Sequence, residues 1–485
     1  MKRVNKKQMG SHTRQPSATS IQKIFEDQRA KALQLRTSDA QRRLAKITRL
    51  REAIVAQTKA IHAAAYADFK KPAAEVDLTE IFPVLIEIKD ARKHLKKWMR
   101  PKRVSPTLPL FGTSARVRSE PKGVCLIISP WNYPLNLTFG PLVSALAAGN
   151  TVIIKPSEYT PHMSALMEKI VREIFTENEV TVIQGDEKVA ANLLKLPFDH
   201  IFFTGSPAVG KVVMTAAAKN LASVTLELGG KSPVIVDKSA NIKKSAGNIM
   251  WSKFANNGQT CIAPDILYVH ESVKEQFVRE ATKRLNAVYG ADSRSQMNNP
   301  DYCRIVNARH FKRVKHLLDD AKAKGASVLA GGDSDAADNF LSPTILDNLS
   351  PKSDIMHQEI FGPLLPIITF SDLTQVIDDI NSRPKPLALY IFGRDKKRNE
   401  QILKNTSAGG SCINTSAVHF LHANLPFGGV NNSGIGNAHG EYGFKAFSHE
   451  RAVLTDKFSV TSNLFPPYTK WVRRQINLVV GLFRR

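Results

Sequence analysis

The sequence predicts an α/β protein of two domains in series, each organised around a parallel β-sheet, and three observations predict it. The chain has 485 residues, and domains usually hold about 100–200, so more than one core is expected. From Gly123 onward, short runs that are apolar at every position alternate with helical stretches. Strands apolar on both faces must be covered on both, which is the pattern of parallel sheets flanked by helices. The rhythm is interrupted once, at Glu227–Gly230, and then resumes.

The elements follow in chain order. Residues 1–20 are polar, basic and free of aromatic rings, and are expected to form a disordered arm. From Ser38 to about Lys70 the apolar positions Leu44, Ile47, Leu50, Ile54 and Ile61 recur at helical spacing. A second helix is expected over Thr79–Trp98, ending before Pro101. Arg92, Lys93, Lys96, Lys97 and Arg100 crowd its last turns, where cations complement the helix dipole. That cluster reads more readily as a solvated face than as a binding patch. The first α/β half then offers strands at Val124–Ile128, Thr151–Ile154, Val180–Ile183 and Ile201–Phe203. Helices are expected between and after them, at Phe139–Ala148, Ser164–Phe175, Glu187–Lys195 and Val209–Ala218. After Leu228 the strands are Val234–Val236, Ile266–Val269, Ser327–Ala330, Leu364–Phe370, Ala388–Phe392 and Gly410–Ile413. No internal repeat or low-complexity tract is apparent. In the tail, 468–485, Val472, Ile476, Val479 and Phe483 fall on one helical stripe, with Lys470, Arg473, Arg474, Asn477 and Arg484 elsewhere. A basic amphipathic helix either lies in a membrane interface or docks on the body or on a partner subunit, and the sequence leaves both open.

Composition bounds the function. With 42% hydrophobic and 23% charged residues the chain is globular in character. No apolar run reaches the ~18–20 residues of a membrane span, and the start lacks an apolar signal core. A cytoplasmic location, with membrane association open through the tail, is the expectation. Cys125, Cys261, Cys303 and Cys412 stand far apart with no C-x-x-C pair. That argues against a disulfide scaffold and against a cysteine zinc site, and no metal is expected. The net charge of +25 is concentrated at the ends: +17 over residues 1–118, +5 over 466–485 and only +3 between. Basic ends suit anionic membranes or acidic partners at least as well as nucleic acid. Nucleic-acid binding is not expected, since neither interleaved aromatics nor a recognised module accompanies the charge.

Several segments carry chemistry. Gly205-Ser206-Pro207-Ala208-Val209-Gly210-Lys211 follows an apolar strand and opens a helix. It nearly spells a Walker A loop, but Val212 stands where a magnesium-binding hydroxyl is required. What survives is a glycine turn at a helix N-terminus, which suits a phosphate or simply a tight turn. Phe254-Ala255-Asn256-Asn257-Gly258-Gln259-Thr260-Cys261 ends in a cysteine after small, turn-forming residues. A nucleophilic thiol needs access and oxyanion donors, although burial as a structural residue is the usual fate of cysteine. Glu227-Leu228-Gly229-Gly230-Lys231-Ser232-Pro233 puts an acid at a strand's carboxyl end, where ligands gather in open α/β sheets. It suits a general base or, equally, a surface turn. Pro130-Trp131-Asn132-Tyr133-Pro134, Lys155-Pro156-Ser157-Glu158 and Glu359-Ile360-Phe361-Gly362-Pro363 are each ambiguous between site and loop.

Together, in this order, the segments PWNYP, KPSE, FFTGS, ELGGKSP, GQTC and EIFGP resemble the aldehyde dehydrogenase superfamily over about residues 38–465, with Cys261 following Glu227 by 34 positions. The run Leu425–Gly434, His439-Gly440, Phe444 and Phe447-Ser448-His449 are similar to the class 3 branch, which contains fatty, aromatic and coniferyl aldehyde dehydrogenases.

The resemblance implies the aldehyde dehydrogenase fold: two Rossmann-like α/β domains plus a small bridging and oligomerisation element. On that basis a basic arm covers 1–20 and an NAD-binding domain 21–227, with a bridging hairpin about 105–122. A catalytic domain covers 228–412, and 413–467 returns to the cofactor domain and forms an oligomerisation arm. The basic helix 468–485 completes the chain. The resemblance further implies that Cys261 attacks the aldehyde, that the Asn132 side chain and the Cys261 N–H hold the oxyanion, and that Glu227 activates the water that hydrolyses the thioester. Water is preferred to coenzyme A as acyl acceptor because Glu227 is present. Lys155 and Glu158 would hold the adenosine ribose and Gly205 and Ser206 the pyrophosphate. Glu359 and Phe361 would lie on the nicotinamide side, with Leu228 a further cofactor contact and Tyr133 in the substrate funnel. Glu158 accepting both ribose hydroxyls should repel a 2′-phosphate, which favours NAD while leaving NADP open. The implied reaction is oxidation of medium- or long-chain aliphatic or aromatic aldehydes to acids by a homodimer. A coniferyl aldehyde dehydrogenase is the nearest alternative. A non-catalytic binding or structural protein on the same fold is the rival of another class, and the intact Cys261, Glu227 and Asn132 argue against it. The departures from the pattern are the basic arm and the tail, which is too short for a transmembrane anchor and is expected to cover the funnel or touch lipid.

Overall fold

The structure is a computed structural model that describes residues 16–107, 110–459 and 461–484. Two largely parallel sheets dominate it. The first runs in the order Gly434–Ile435, Ser223–Leu228, His200–Gly205, Val124–Ile128, Thr151–Lys155, Val180–Val182. All neighbours are parallel except Gly434–Ile435, an antiparallel edge strand supplied from late in the chain. Alternate residues feed two cores. Cys125 and Ile127 pack on one side with Val152 and Ile154, while Val124 and Leu126 pack on the other with Ile153 and Ile201. This two-sided burial is why these strands read as unbroken apolar runs.

The second sheet runs Ser327–Ala330, Thr344–Asp347, Leu364–Phe370, Ile266–His270, Pro233–Val236, Ala388–Phe392, Gly410–Ile413. It too separates two cores, with Val234 and Leu267 on one side and Ile235 and Tyr268 on the other. Its first pair is antiparallel, a correction to the parallel rhythm expected of Ser327–Ala330. Between this strand and Thr344–Asp347, which the sequence pattern did not bring out, lies only the short ribbon Ser334–Asp335/Phe340–Leu341. The link holds no helix to carry the chain across the sheet face, as a parallel crossover usually does, and the chain reverses direction instead. A third, antiparallel sheet joins Lys102–Val104, Thr113–Pro121 and Ser448–Asp456, and is largely exposed.

Three further expectations are revised. The stretch Ser38–Lys70 is two helices, Ala40–Ala56 and Thr58–Phe69, separated at Gln57 (φ −97°, ψ 10°). The Thr58 hydroxyl donates to the Val55 carbonyl at 2.9 Å, a local bond that competes with continuation of the helix. The helix expected over Thr79–Trp98 is α-helical only from Phe82 to Trp98, after a π-helical turn at Asp77–Ile81. Pro83 has no N–H and its ring disfavours an α-helical carbonyl at Thr79, so the preceding turn widens. Of the N-terminal arm, residues 1–15 lie outside the described residues, but Ala18–Leu35 is a helix capped by the Ser17 hydroxyl. It buries Ile21 and Phe25, and Gln28 Nε2 donates to the Val152 and Glu177 carbonyls, each at 3.0 Å. The tail forms a helix at Lys470–Leu482 with Val472 buried and Trp471, Leu478 and Leu482 exposed. Among the described residues no helix is long and apolar enough to cross a membrane.

Candidate active site

The carboxyl ends of parallel strands all point one way, so loops far apart in sequence meet at that edge. Strand Val124–Ile128 leads into the Pro130–Pro134 loop, His200–Gly205 into Ser206, and Ser223–Leu228 carries Glu227 at its end. Against them lies the loop ending in Cys261. Asn256, Asn257 and Gly258 have φ of 52°, 57° and 70°, a run of left-handed residues that asparagine and glycine tolerate best. Asn256 and Asn257 are fully buried, so the shape is held from inside. Asn256 Nδ2 donates to the Asn132 carbonyl and Asn132 Nδ2 to the Gln259 carbonyl, both at 2.9 Å. Gln259 is buried as well, donating to Asn256 O and Arg304 O and accepting from Val306 N. These bonds tie the Asn132 loop to the Cys261 loop. The second amide hydrogen of Asn132 remains for a ligand, and Asn132 lines the cavity.

One cavity of about 580 Å³ collects Asn132, Gly205, Ser206, Glu227, Leu228, Cys261, Glu359 and Phe361. Eight of the eleven residues anticipated from the sequence therefore share a single cleft. Burial pushes the Cys261 thiol up to about 12, and the carboxyls of Glu359 and Glu227 push the same way. Glu227 is 6% exposed, neither carboxyl oxygen has a hydrogen-bond partner among the described residues, and burial holds its pKa well above the ordinary range. An unsatisfied carboxyl facing a cavity is costly unless it serves one, because desolvation without a partner is not offset. Glu359 is raised to about 7, chiefly by burial and next by Asp265.

The Glu359–Pro363 segment is clamped from three sides. Arg313 donates to the carbonyls of Glu359, Ile360 and Phe361 at 3.2, 2.8 and 3.2 Å. The Asp265 carboxylate accepts from Ile360 N at 2.9 Å, and Glu359 accepts from Gly230 N at 3.1 Å. Phe361 sits at φ 44° and its ring meets Trp131 edge-on at 5.3 Å. Two glycines allow this closeness: a Cβ on Gly229 would run into the Glu359 carboxylate, and one on Gly258 into the Gly362 carbonyl.

Lys155, Glu158 and Tyr133 lie outside the cavity lining. Lys155 ends its strand almost fully buried, with its ammonium 3.2 Å from the exposed Glu158 carboxylate. Tyr133 is half-buried with its hydroxyl 2.6 Å from Thr260 Oγ1. Sequence reasoning missed Trp131, Leu137, Thr204, Ala208, His310, Arg313 and Gln358 in the lining. Trp131 lay inside a quoted motif and Thr204 inside another. His310 and Arg313 sit on the helix Ala308–Ala323, where nothing in the sequence distinguishes them from other basic residues. His310 lies 4.8 Å from the Trp131 ring and is lowered to about 4 by burial, with Arg313 next.

A dinucleotide fits these residues. The cleft runs from Cys261 to Gly205, Ser206 and Ala208, at the N-terminus of the helix Pro207–Ala218, where amides and dipole favour phosphate. Gly205 and Gly229 line the cleft, and outside that lining the buried Lys155 ammonium lies 3.2 Å from the Glu158 carboxylate. Among the described residues no group of three His, Cys, Asp or Glu side chains is placed to hold a metal ion. All four cysteines are free thiols.

The chain is similar to known proteins along most of its length. Residues 2–453 match the profile of the Aldehyde dehydrogenase family. The chain is 43% identical to the 4,4′-diaponeurosporen-aldehyde dehydrogenase of Staphylococcus aureus, covering 92% of this chain and 96% of that one. It is 42% identical to the coniferyl aldehyde dehydrogenase of a Pseudomonas species, covering 95% and 93%. A substrate-bound state of Staphylococcus aureus AldH superposes with a TM-score of 0.90 at 42% identity, over 95% of this chain and 99% of that one.

Proposed function

The chain belongs to the aldehyde dehydrogenase family, an oxidoreductase family whose members use NAD or NADP, and from that premise we propose which residues act and on what. The observation that carries the reading is that Cys261, Glu227 and Asn132 line one cavity although they come from two separate loops and a strand end. Cys261 Sγ attacks the aldehyde carbon to give a thiohemiacetal. The Asn132 amide and the Cys261 backbone N–H donate to the oxygen that becomes negative, worth about 2.7–4 kcal/mol per donor in comparable sites. The thiol is not ionised at rest, so its proton must leave as the bond forms. It passes to the aldehyde oxygen, giving the neutral thiohemiacetal, and is released to solvent as the hydride departs. A nicotinamide held beside Glu359 and Phe361 would supply the hydride acceptor that takes the thiohemiacetal to a thioester. Glu227 then takes a proton from the water that hydrolyses the thioester and passes it to the departing Cys261 sulfur, and the acid leaves. Gly205 and Ser206 hold the pyrophosphate, Lys155 and Glu158 the adenosine ribose, and Leu228, Glu359 and Phe361 border the nicotinamide, with NAD preferred. Tyr133 borders the funnel.

The substrates proposed are medium- or long-chain aliphatic or aromatic aldehydes. The likeness to a 4,4′-diaponeurosporen-aldehyde dehydrogenase supports the first class. The likeness to a coniferyl enzyme, with Trp131, His310 and Phe361 in the cavity wall, favours phenylpropanoid aldehydes as the second reading. We further propose a homodimer built on the exposed Lys102–Val104/Thr113–Pro121/Ser448–Asp456 sheet, in the cytoplasm. The tail helix, with Trp471, Leu478 and Leu482 exposed beside Lys470 and Arg474, would touch membrane surfaces or the funnel. The test is NADH formation by the purified protein across aldehydes from short to long chain plus coniferaldehyde, with NAD and with NADP, and with a variant ending at Pro467. Activity that rises with chain length and changes on truncation supports the aliphatic reading, and preference for coniferaldehyde supports the second. No turnover with any of them sinks both.

A further inference from the structure

A buried cluster of charge lies behind the Asn132 loop, and the chemistry above does not use it. Lys71 and Glu80 have no exposed surface, and the Lys71 ammonium donates to Glu80 Oε1 at 3.1 Å. Glu80 Oε2 accepts from the backbone N–H groups of Leu135 and Asn136 at 3.1 and 3.0 Å, where the Pro130–Pro134 loop turns into the helix Asn136–Ala148. The same ammonium stands 4.1 Å from the centroid of the Tyr133 ring, a close cation–π contact. The Tyr133 hydroxyl is 2.6 Å from Thr260 Oγ1, and Thr260 immediately precedes Cys261. Glu75, the other carboxyl facing Lys71, accepts from Asn256 N at 2.7 Å at the far end of the cysteine loop. One ammonium and two carboxyls thus touch both halves of the site. A buried ion pair of this kind contributes little net stability over an apolar replacement, so stability alone does not account for it.

We infer that Lys71 and Glu80 are positioning residues: they fix Tyr133 so that its hydroxyl stays on Thr260, and thereby hold Cys261 at its working distance from Asn132. The inference rests on Cys261 and Asn132 being the reacting groups. Its logic is geometric. The cation pins the ring face, the carboxylate pins the backbone two residues later, and the phenol reaches across to the opposite loop. Misplacement of a reacting group by about 1 Å can cost about a hundredfold in rate.

The experiment is the rate constant of the first-turnover NADH burst at saturating decanal and NAD, with melting temperatures measured alongside. It is run on wild type, Tyr133→Phe, Lys71→Met, Lys71→Arg and the Lys71→Met/Tyr133→Phe double variant. Tyr133→Phe removes one hydroxyl and little else, and is expected to slow the burst about tenfold or more, with KM and melting temperature little changed. Lys71→Met is expected to slow it comparably, Lys71→Arg to restore part of the rate, and the double variant to be no slower than the slower single. A wild-type burst rate in Tyr133→Phe overturns the inference, as does a double variant whose loss is the product of the two singles. Should Lys71→Met fail to fold, Tyr133→Phe decides alone by the same criterion. Absence of any NADH formation by the wild type would instead sink the reading of Cys261, and this inference with it.

Discussion

Replacing Glu227 with Gln should separate the two halves of the reaction and, at neutral pH, leave the protein no less stable. The carboxyl is 6% exposed, both oxygens lack partners among the described residues, and burial holds its pKa well above the ordinary range. A group whose folded pKa exceeds its unfolded value binds more protons when folded. Stability therefore falls as pH rises from the unfolded value through the folded one. Gln has the same shape and cannot ionise, so the variant should melt at the same temperature as wild type near pH 4 and at an equal or higher one near pH 8. Catalytically the loss is that of a general base, typically 10²–10⁴-fold, or about 3–5 kcal/mol of barrier. It should fall mainly on thioester hydrolysis. In a rapid-mixing experiment with saturating aldehyde and NAD, the variant should show an NADH burst of about one per site followed by a steady rate lower by that factor. Turnover within twofold of wild type would refute the reasoning, and so would a variant melting well below wild type at pH 8.

Three other outcomes are expected. Asn132→Ala should slow the burst itself by about 10²–10³-fold, read in the same apparatus, because it removes an oxyanion donor; an unchanged burst would count against that role. With the thiol pushed up to about 12, on the order of 10⁻⁵ of Cys261 is thiolate at pH 7. Its alkylation by iodoacetamide in the cofactor-free protein should thus keep accelerating beyond pH 9, and a plateau near pH 8 would contradict the site's electrostatics. Glu158→Ala should free the Lys155 ammonium, now 3.2 Å from that carboxylate, and raise the NADP-to-NAD ratio of kcat/KM about tenfold. A ratio that stays put would remove Glu158 from the cofactor site.

The sequence disclosed the buried strands well because strands covered on both faces are apolar throughout. It disclosed their chain neighbours less well. Ser327–Ala330 looks like its parallel companions, yet it is antiparallel to Thr344–Asp347, the link between them holding a short ribbon and no crossover helix. The edge strand Gly434–Ile435 is two residues long and owes its place to Leu226 and Glu227 far earlier in the chain, a pairing no local pattern carries. The site followed the same division. Cys261, Glu227 and Asn132 sit in short motifs at strand ends or sharp turns, where geometry demands particular residues. His310 and Arg313 act from a helix whose surface carries many cations, so their place in the cleft emerges only once that helix is packed against Glu359–Phe361. Lys71 and Glu80 were illegible for the opposite reason: a lysine and a glutamate in sequence look solvated, and only the fold buries them.

The central claim is that Cys261 is the nucleophile of an NAD(P)-dependent aldehyde oxidation, and its most direct test is the first-turnover NADH burst in wild type and in Cys261→Ala with a medium-chain aldehyde. The account predicts a burst of about one NADH per site in wild type and none above background in Cys261→Ala, whose melting temperature should match wild type. NADH formation by Cys261→Ala at the wild-type rate would contradict it.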